Sequence, residues 1–247
     1  MSYSKTTRFT AIAAVVAMVV VLVGVALVQV LSGGGGDPSA EAPRTTAVPE
    51  TAQAAGECEE PPAPPSSPPS FDKGPAETLA EGATWEATVA TNCGDIVFEL
   101  FGDKAPLTVS SFLFLAKKGY WNASPCHRLV PEGIFVFQCG DPTGTGTGGP
   151  GYGYGIENAP EDGTYPRGTL AMARTADPNS NGGQFFIVFD ETQLPVEGGG
   201  YSVFGKVVEG MDIVDRVAEA GVAGGAPDGP PQQPISILDV TVSKQSG

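Results

Sequence analysis

Residues 126–154 read CHRLVPEGIFVFQCGDPTGTGTGGPGYGY. Two short apolar runs, CHRLV and IFVFQC, flank a turn centred on Glu132-Gly133, which is the pattern of a hairpin. The stretch holds the only histidine, His127, and two of the four cysteines. It also holds Arg128, set among Leu129, Val130, Ile134, Phe135 and Phe137. A guanidinium stays charged in any protein environment, so apolar strands carry one only where something satisfies it. The glycine-rich end contains a G-x-G-x-x-G string at Gly144, Gly146 and Gly149. A dinucleotide site would need a helix to follow at once. Pro150-Gly151-Tyr152-Gly153 follows instead, so the glycines are expected to serve a tight rim loop.

Outward from this stretch the pattern stays mainly β. WEATVAT puts Trp85, Ala87 and Val89 on one face, and IVFEL does the same for Ile96, Phe98 and Leu100. Asn92-Cys93-Gly94-Asp95 turns between them, giving a second hairpin. Pro106 opens a helix with Val109, Phe112, Leu113 and Ala116 on one face, Lys117 and Lys118 at its end and Gly119 as its stop. Short strands follow at GTLAMA, QFFIVF and SVFGKV. A second helix is expected from Glu209 to Ala220 and a last strand from Ile235 to Val242. Several short strands with two helices suggest a closed barrel or a sandwich.

The N-terminal third differs. Residues 1–8 carry Lys5 and Arg8. Residues 9–31 are 23 nearly uninterrupted apolar residues, enough to span a bilayer, which needs about 20. No basic residue follows until Arg44, so the expected topology is a single-pass anchor in the cell membrane with a cytoplasmic N-terminus. A cleaved signal peptide is the alternative, but no clean small-residue cleavage site ends the segment. Residues 32–82 open with four glycines and hold ten prolines; they read as an extended or disordered linker. Residues 83–247 are then the folded domain, long enough for one core. A net charge of −15 argues against nucleic acid as a partner.

HRLV…FVFQCGDPTGTGTGGPGY, GTLAMAR…PNSNGGQFFIVF and YSVFGKVVEGMDIVD, in that order, closely resemble the cyclophilin peptidyl-prolyl isomerases over about residues 84–243. The resemblance implies an eight-stranded antiparallel β-barrel capped by two helices. It implies acceleration of X-Pro rotation in proline-containing polypeptides, with no cofactor and no metal. Rotation about an X-Pro bond faces a barrier of about 18–20 kcal/mol that comes from amide resonance. A dry slot for the ring and a fixed cationic donor near the twisted nitrogen lower it by binding the twisted state better than the planar one.

By resemblance Arg128 is that donor, and Gln138 helps hold it and the substrate carbonyl. Phe135, Val136, Phe186 and Leu194 would line the proline pocket, and Ala173 and Arg174 the peptide groove. This chain departs from the family at the rim: Leu194 replaces a tryptophan, Tyr201 a histidine and Val136 a methionine, and PEGIF carries two extra residues. His127 has no ligand cluster around it in sequence, so a structural role is expected.

Four cysteines outside the cytoplasm allow three connectivities. A hairpin about Glu132-Gly133 places Cys126 opposite Cys139, and Cys58–Cys93 is expected as the second bridge; reduced, buried cysteines are the alternative. The same register puts Arg128 and Gln138 on opposite faces, so a bulge or shifted turn is required. The sequence therefore leads to a membrane-anchored, extracytoplasmic, monomeric isomerase acting on exported clients. The alternative is a module that binds proline peptides without turning them over.

Overall fold

A computed structural model describes residues 58–245. The apolar segment 9–31 lies outside them, as does the linker before Cys58. Among the described residues no helix is long and apolar enough to cross a membrane.

The elements in chain order are β1 (Thr84–Thr91), β2 (Gly94–Phe101), α1 (Pro106–Lys117), β3 (Ser124–Pro125), β4 (Arg128–Val130), β5 (Val136–Cys139), β6 (Thr164–Tyr165), β7 (Thr169–Met172), β8 (Phe185–Val188), β9 (Thr192–Gln193), β10 (Val203–Glu209), α2 (Met211–Ala220) and β11 (Ser236–Lys244). Nine strands form one antiparallel sheet, ordered β3-β11-β1-β2-β10-β7-β8-β5-β4, while β6 and β9 pair separately. The expected count of eight strands is thus corrected, and the sheet is not closed by hydrogen bonds. Its two edge strands, β3 and β4, are nonetheless joined by Cys126 and His127 alone. A two-residue link cannot cross a flat sheet of nine strands, since adjacent strands lie about 4.8 Å apart. The sheet must curl until its edges meet.

The β1–β2 hairpin forms as its alternation requires: Ala87, Val89, Ile96, Phe98 and Leu100 are all buried. Helix α1 ends where the sequence places its stop. Gly119 adopts φ +62°, its N–H donates to Ala116 O, and the Tyr120 N–H reaches back to Leu115 O, which satisfies the last carbonyls. Its N-terminus has no capping side chain of its own. The Glu157 carboxylate accepts from the Leu107 and Thr108 N–H groups instead, a favourable place for an anion. Helix α2 begins two residues later than expected, because β10 runs on through Glu209. Gly210 then turns the corner at φ +85°, where a Cβ would lie 2.5 Å from Asp95 O.

One core joins α1 to the sheet through Phe98, Phe112, Trp121, Phe185 and Phe204. A second, smaller cluster of Val130, Val136, Tyr165, Phe186, Val188 and Leu194 is separate from it.

The expectation of a linker extending to Gly82 is corrected over residues 58–82, which lie on the domain. Cys58 is bonded to Cys93, Phe71 packs edge-on against Phe114, and a short helical turn at Glu77–Ala80 buries Ala80 beneath Ser110. Composition suggests disorder only when a segment has no surface to cover; here a disulfide and two anchors provide one.

Both disulfides expected from the sequence form, Cys58–Cys93 and Cys126–Cys139. The register conflict is resolved by a shifted turn. Arg128 pairs with Gln138 and Val130 with Val136, so the loop spans residues 131–135. Cys126 precedes β4 and donates its N–H to Ile235 O, which frees it from the ladder to reach Cys139.

Candidate active site

The smaller apolar cluster floors an open cleft of about 430 Å³. Val136, Phe186 and Leu194 line it, with Ala173, Arg174 and Tyr201. Arg128 and Gln138 line it too, brought side by side by the β4–β5 register. Phe135 is a correction. It does not line the cleft; its ring packs edge-on against Phe189, with centroids 5.9 Å apart. Phe135 precedes the first paired residue of β5, and its N–H donates to Thr192 Oγ1, which turns the side chain away. Ile134 lines the cleft in its stead.

Arg128 is held at both ends. Its Nε and Nη2 donate to the Asp228 carboxylate at 2.8 and 2.7 Å, and Nη1 donates to Gln138 Oε1 at 3.2 Å. Arg128 holds the Asp228 carboxyl below the ordinary carboxylate range. Gln138 Nε2 donates to Gln184 Oε1, and Gln184 Nε2 donates to Gly146 O and Gly148 O. A continuous relay therefore runs from Asp228 through Arg128 to the glycine-rich loop. A guanidinium has five N–H donors; three are engaged, which leaves two for a ligand.

The glycine-rich loop does not offer its N–H groups to an anion. The buried Asp141 carboxylate already accepts from the N–H groups of Thr143 and Gly148 and from the Thr143 hydroxyl. Burial alone would raise the Asp141 pKa, but these hydrogen bonds outweigh it and leave it lowered. His127 is half-buried beside this loop. Burial chiefly holds its pKa below the usual histidine value, against an opposing pull from Asp141 and with a smaller push from Arg128. Its Nδ1 is buried without a partner, and among the described residues no three His, Cys, Asp or Glu side chains gather as metal ligands.

Tyr201 takes a fixed place at the rim. Its N–H donates to the Tyr165 hydroxyl, which in turn donates to Tyr201 O. Its ring meets Phe186 edge-on and lies 5.0 Å beneath the Arg174 guanidinium.

Residues 87–242 match the family described as cyclophilin type peptidyl-prolyl cis-trans isomerase/CLD. The chain belongs to the cyclophilin family. It is 40% identical over 167 residues to a peptidyl-prolyl cis-trans isomerase B of Escherichia coli K12, covering 64% of this chain and 99% of that one. A probable peptidyl-prolyl cis-trans isomerase B of Mycobacterium leprae is 38% identical over 198 residues, covering 73% of this chain. The match spans 64% of that relative and 53% of its counterpart in Mycobacterium tuberculosis. Among solved structures, a cyclophilin-type isomerase of Cryptosporidium parvum superposes with a TM-score of 0.56 at 33% identity, covering 66% of this chain and 99% of that one. The same protein, solved in the presence of the dipeptide Ala-Pro, gives 0.55 at 34% identity, covering 65% of this chain and 99% of that one.

Two groups of this hydrogen-bonded relay escaped the sequence. Asp228 lies in a glycine- and proline-rich loop with no periodicity, and Gln184 lies in NGGQFF beside the aromatic residues. The one available signal for Asp228 was that it is the sole acid between Glu219 and Asp239.

Proposed function

We propose that this cyclophilin accelerates cis-trans isomerisation of X-Pro bonds in exported polypeptides. The observation that carries this reading is a fixed guanidinium with unused N–H donors beside an apolar cleft of ring-accommodating size. The proline ring enters over Val136, Phe186 and Leu194. As the amide twists, its nitrogen lone pair leaves conjugation and becomes a better acceptor. An Arg128 N–H then donates to that nitrogen, while Gln138 holds the guanidinium and meets the substrate carbonyl. Because this donor is already oriented, little reorganisation opposes it in the twisted state. A charge-assisted hydrogen bond contributes about 1.5–3 kcal/mol, or about 10–150-fold in rate. The remainder comes from the apolar slot, which accepts the ring in either isomer and excludes water from the twisting bond.

Isomerase placement outside the cytoplasm, on an anchor at residues 9–31, belongs to the same proposal. Two disulfides among the described residues support it, since such bonds persist in oxidising compartments. A monomer is sufficient, because the site is built from one chain.

One observation favours a second reading, that of a non-catalytic binder of proline peptides: the Asp228 carboxylate already offsets the Arg128 charge. Cis-trans relaxation of a proline-containing test peptide separates the two. Faster relaxation that is lost in Arg128→Ala supports the isomerase; peptide binding without any acceleration supports the binder.

A further inference from the structure

Beside the catalytic cleft lies a second groove of about 470 Å³, walled by prolines from two distant parts of the chain. Pro61, Pro62 and Pro64 form one wall, and Pro230, Pro231 and Pro234 the other. Pro62, Pro64, Pro230 and Pro234 are exposed. The groove adjoins the cleft, and His127 and Thr145 line both.

The walls are held in place. Cys58–Cys93 ties down the start of the first wall, and the Glu59 N–H donates to Asn92 O. The buried Asn92 amide then staples the two walls together: its Nδ2 donates to Glu59 O at 2.7 Å and to Pro234 O at 3.2 Å. Asn92 Oδ1 accepts from the Ser236 N–H. A groove assembled this way needs no ordering when a ligand arrives, which lowers the cost of binding.

Proline rings carry no N–H and present mainly C–H surface. Such walls offer a peptide backbone no N–H donors, and they suit a bulky apolar side chain. Proline rings and aromatic faces are partners in polyproline recognition; here the receptor supplies the prolines. We infer that this groove holds an aromatic or large aliphatic side chain of the same client polypeptide, a few residues along the chain from the proline in the cleft. The inference rests on the proposed function for which chain occupies the cleft. It makes the substrate class an extended segment that pairs an X-Pro bond with a nearby bulky apolar residue.

The test uses the full chain and peptides with one common X-Pro core. One peptide has alanine on both flanks. In the others a single phenylalanine is moved from about two to five positions away on either side, a range set by about 3.3–3.6 Å per extended residue. Binding is measured by titration calorimetry and turnover by cis-trans exchange. One phenylalanine position is expected to bind about tenfold tighter than the alanine peptide, as partial burial of a large apolar side chain allows. Pro64→Glu and Pro230→Glu, both at exposed positions, should each cut that preference below about twofold and leave binding of the alanine peptide unchanged. No preference at any position, or a preference that survives both substitutions, overturns the inference. Intact preference without turnover still supports the groove and counts against the isomerase.

Discussion

Arg128 and Arg174 line the same cleft but are held in different ways. Arg128 is forked onto the Asp228 carboxylate through two nitrogens. Arg174 donates to the backbone carbonyls of Gly200, Thr175 and Glu197 and covers the Tyr201 ring, with no carboxylate partner among the described residues. A carboxylate fork fixes the plane of a guanidinium and reduces its net field. Backbone carbonyls and an aromatic face fix the position and leave the charge whole. The first arrangement suits a directional donor to one atom, and the second suits a general attraction for negative charge. The Arg128–Asp228 pair is itself partly solvated, at 35% and 48% side-chain exposure. Such pairs add little to stability, so under the proposed function its contribution would be to aim the donor.

The largest effect should follow from Arg128→Ala. Removal of one oriented donor costs about 10²–10³ in comparable sites, so kcat/KM is expected to fall about a hundredfold with the thermal midpoint nearly unchanged. Arg128→Lys should recover little, because lysine cannot satisfy both Asp228 oxygens and Gln138. Retention of half the activity in Arg128→Ala would erase the distinction between the two arginines.

Asp228→Ala tests whether the fork aims or merely quenches. Aim predicts about a tenfold loss, carried by kcat rather than KM. A gain in rate would show that the carboxylate suppresses the cation.

Arg174→Ala should cost less, about threefold and in KM. The loss should be larger for peptides with an acidic residue near the proline and should shrink at high salt, as screening requires. A salt-independent loss in kcat would place Arg174 beside Arg128 in the chemistry.

The smallest effect expected is with pH. His127 is held below its ordinary value chiefly by burial, and Asp228 is held below its own by Arg128. Each midpoint therefore lies below about pH 6.5. The Asp228 pair persists as pH falls and is lost only on passing through its lowered pKa, below the usual carboxylate value of about 3.9. A rate profile with no midpoint between about pH 6.5 and 8 is therefore expected, and an inflection centred near pH 7 or above would require another group.

Much of this comparison lay hidden in the sequence. The alternation in β1 and β2, the apolar face of α1 and its glycine stop are local signals, and they place these elements correctly. The Cys126–Cys139 pair followed from the hairpin, although the turn itself is one step longer than the symmetrical one. Phe135 was misplaced because residue types show which side chains are apolar, not which way the last loop residue turns. Residues 58–82 looked unfolded because composition says nothing about a surface elsewhere that they could cover.

The amino-acid sequence alone placed the long strands β1, β2 and β11 and the body of both helices, because period and turn chemistry are properties of neighbouring residues, and the order of its motifs carried the resemblance to the family. Only the tertiary structure decided what restrains Arg128, since Asp228 is 100 positions away in a loop without pattern. It also decided that Asn92 binds two proline walls into one groove, across separations of 33 and 142 residues. Contacts of that span arise when a sheet curls until its edges meet, and no local spacing encodes which side chains are then left facing one another.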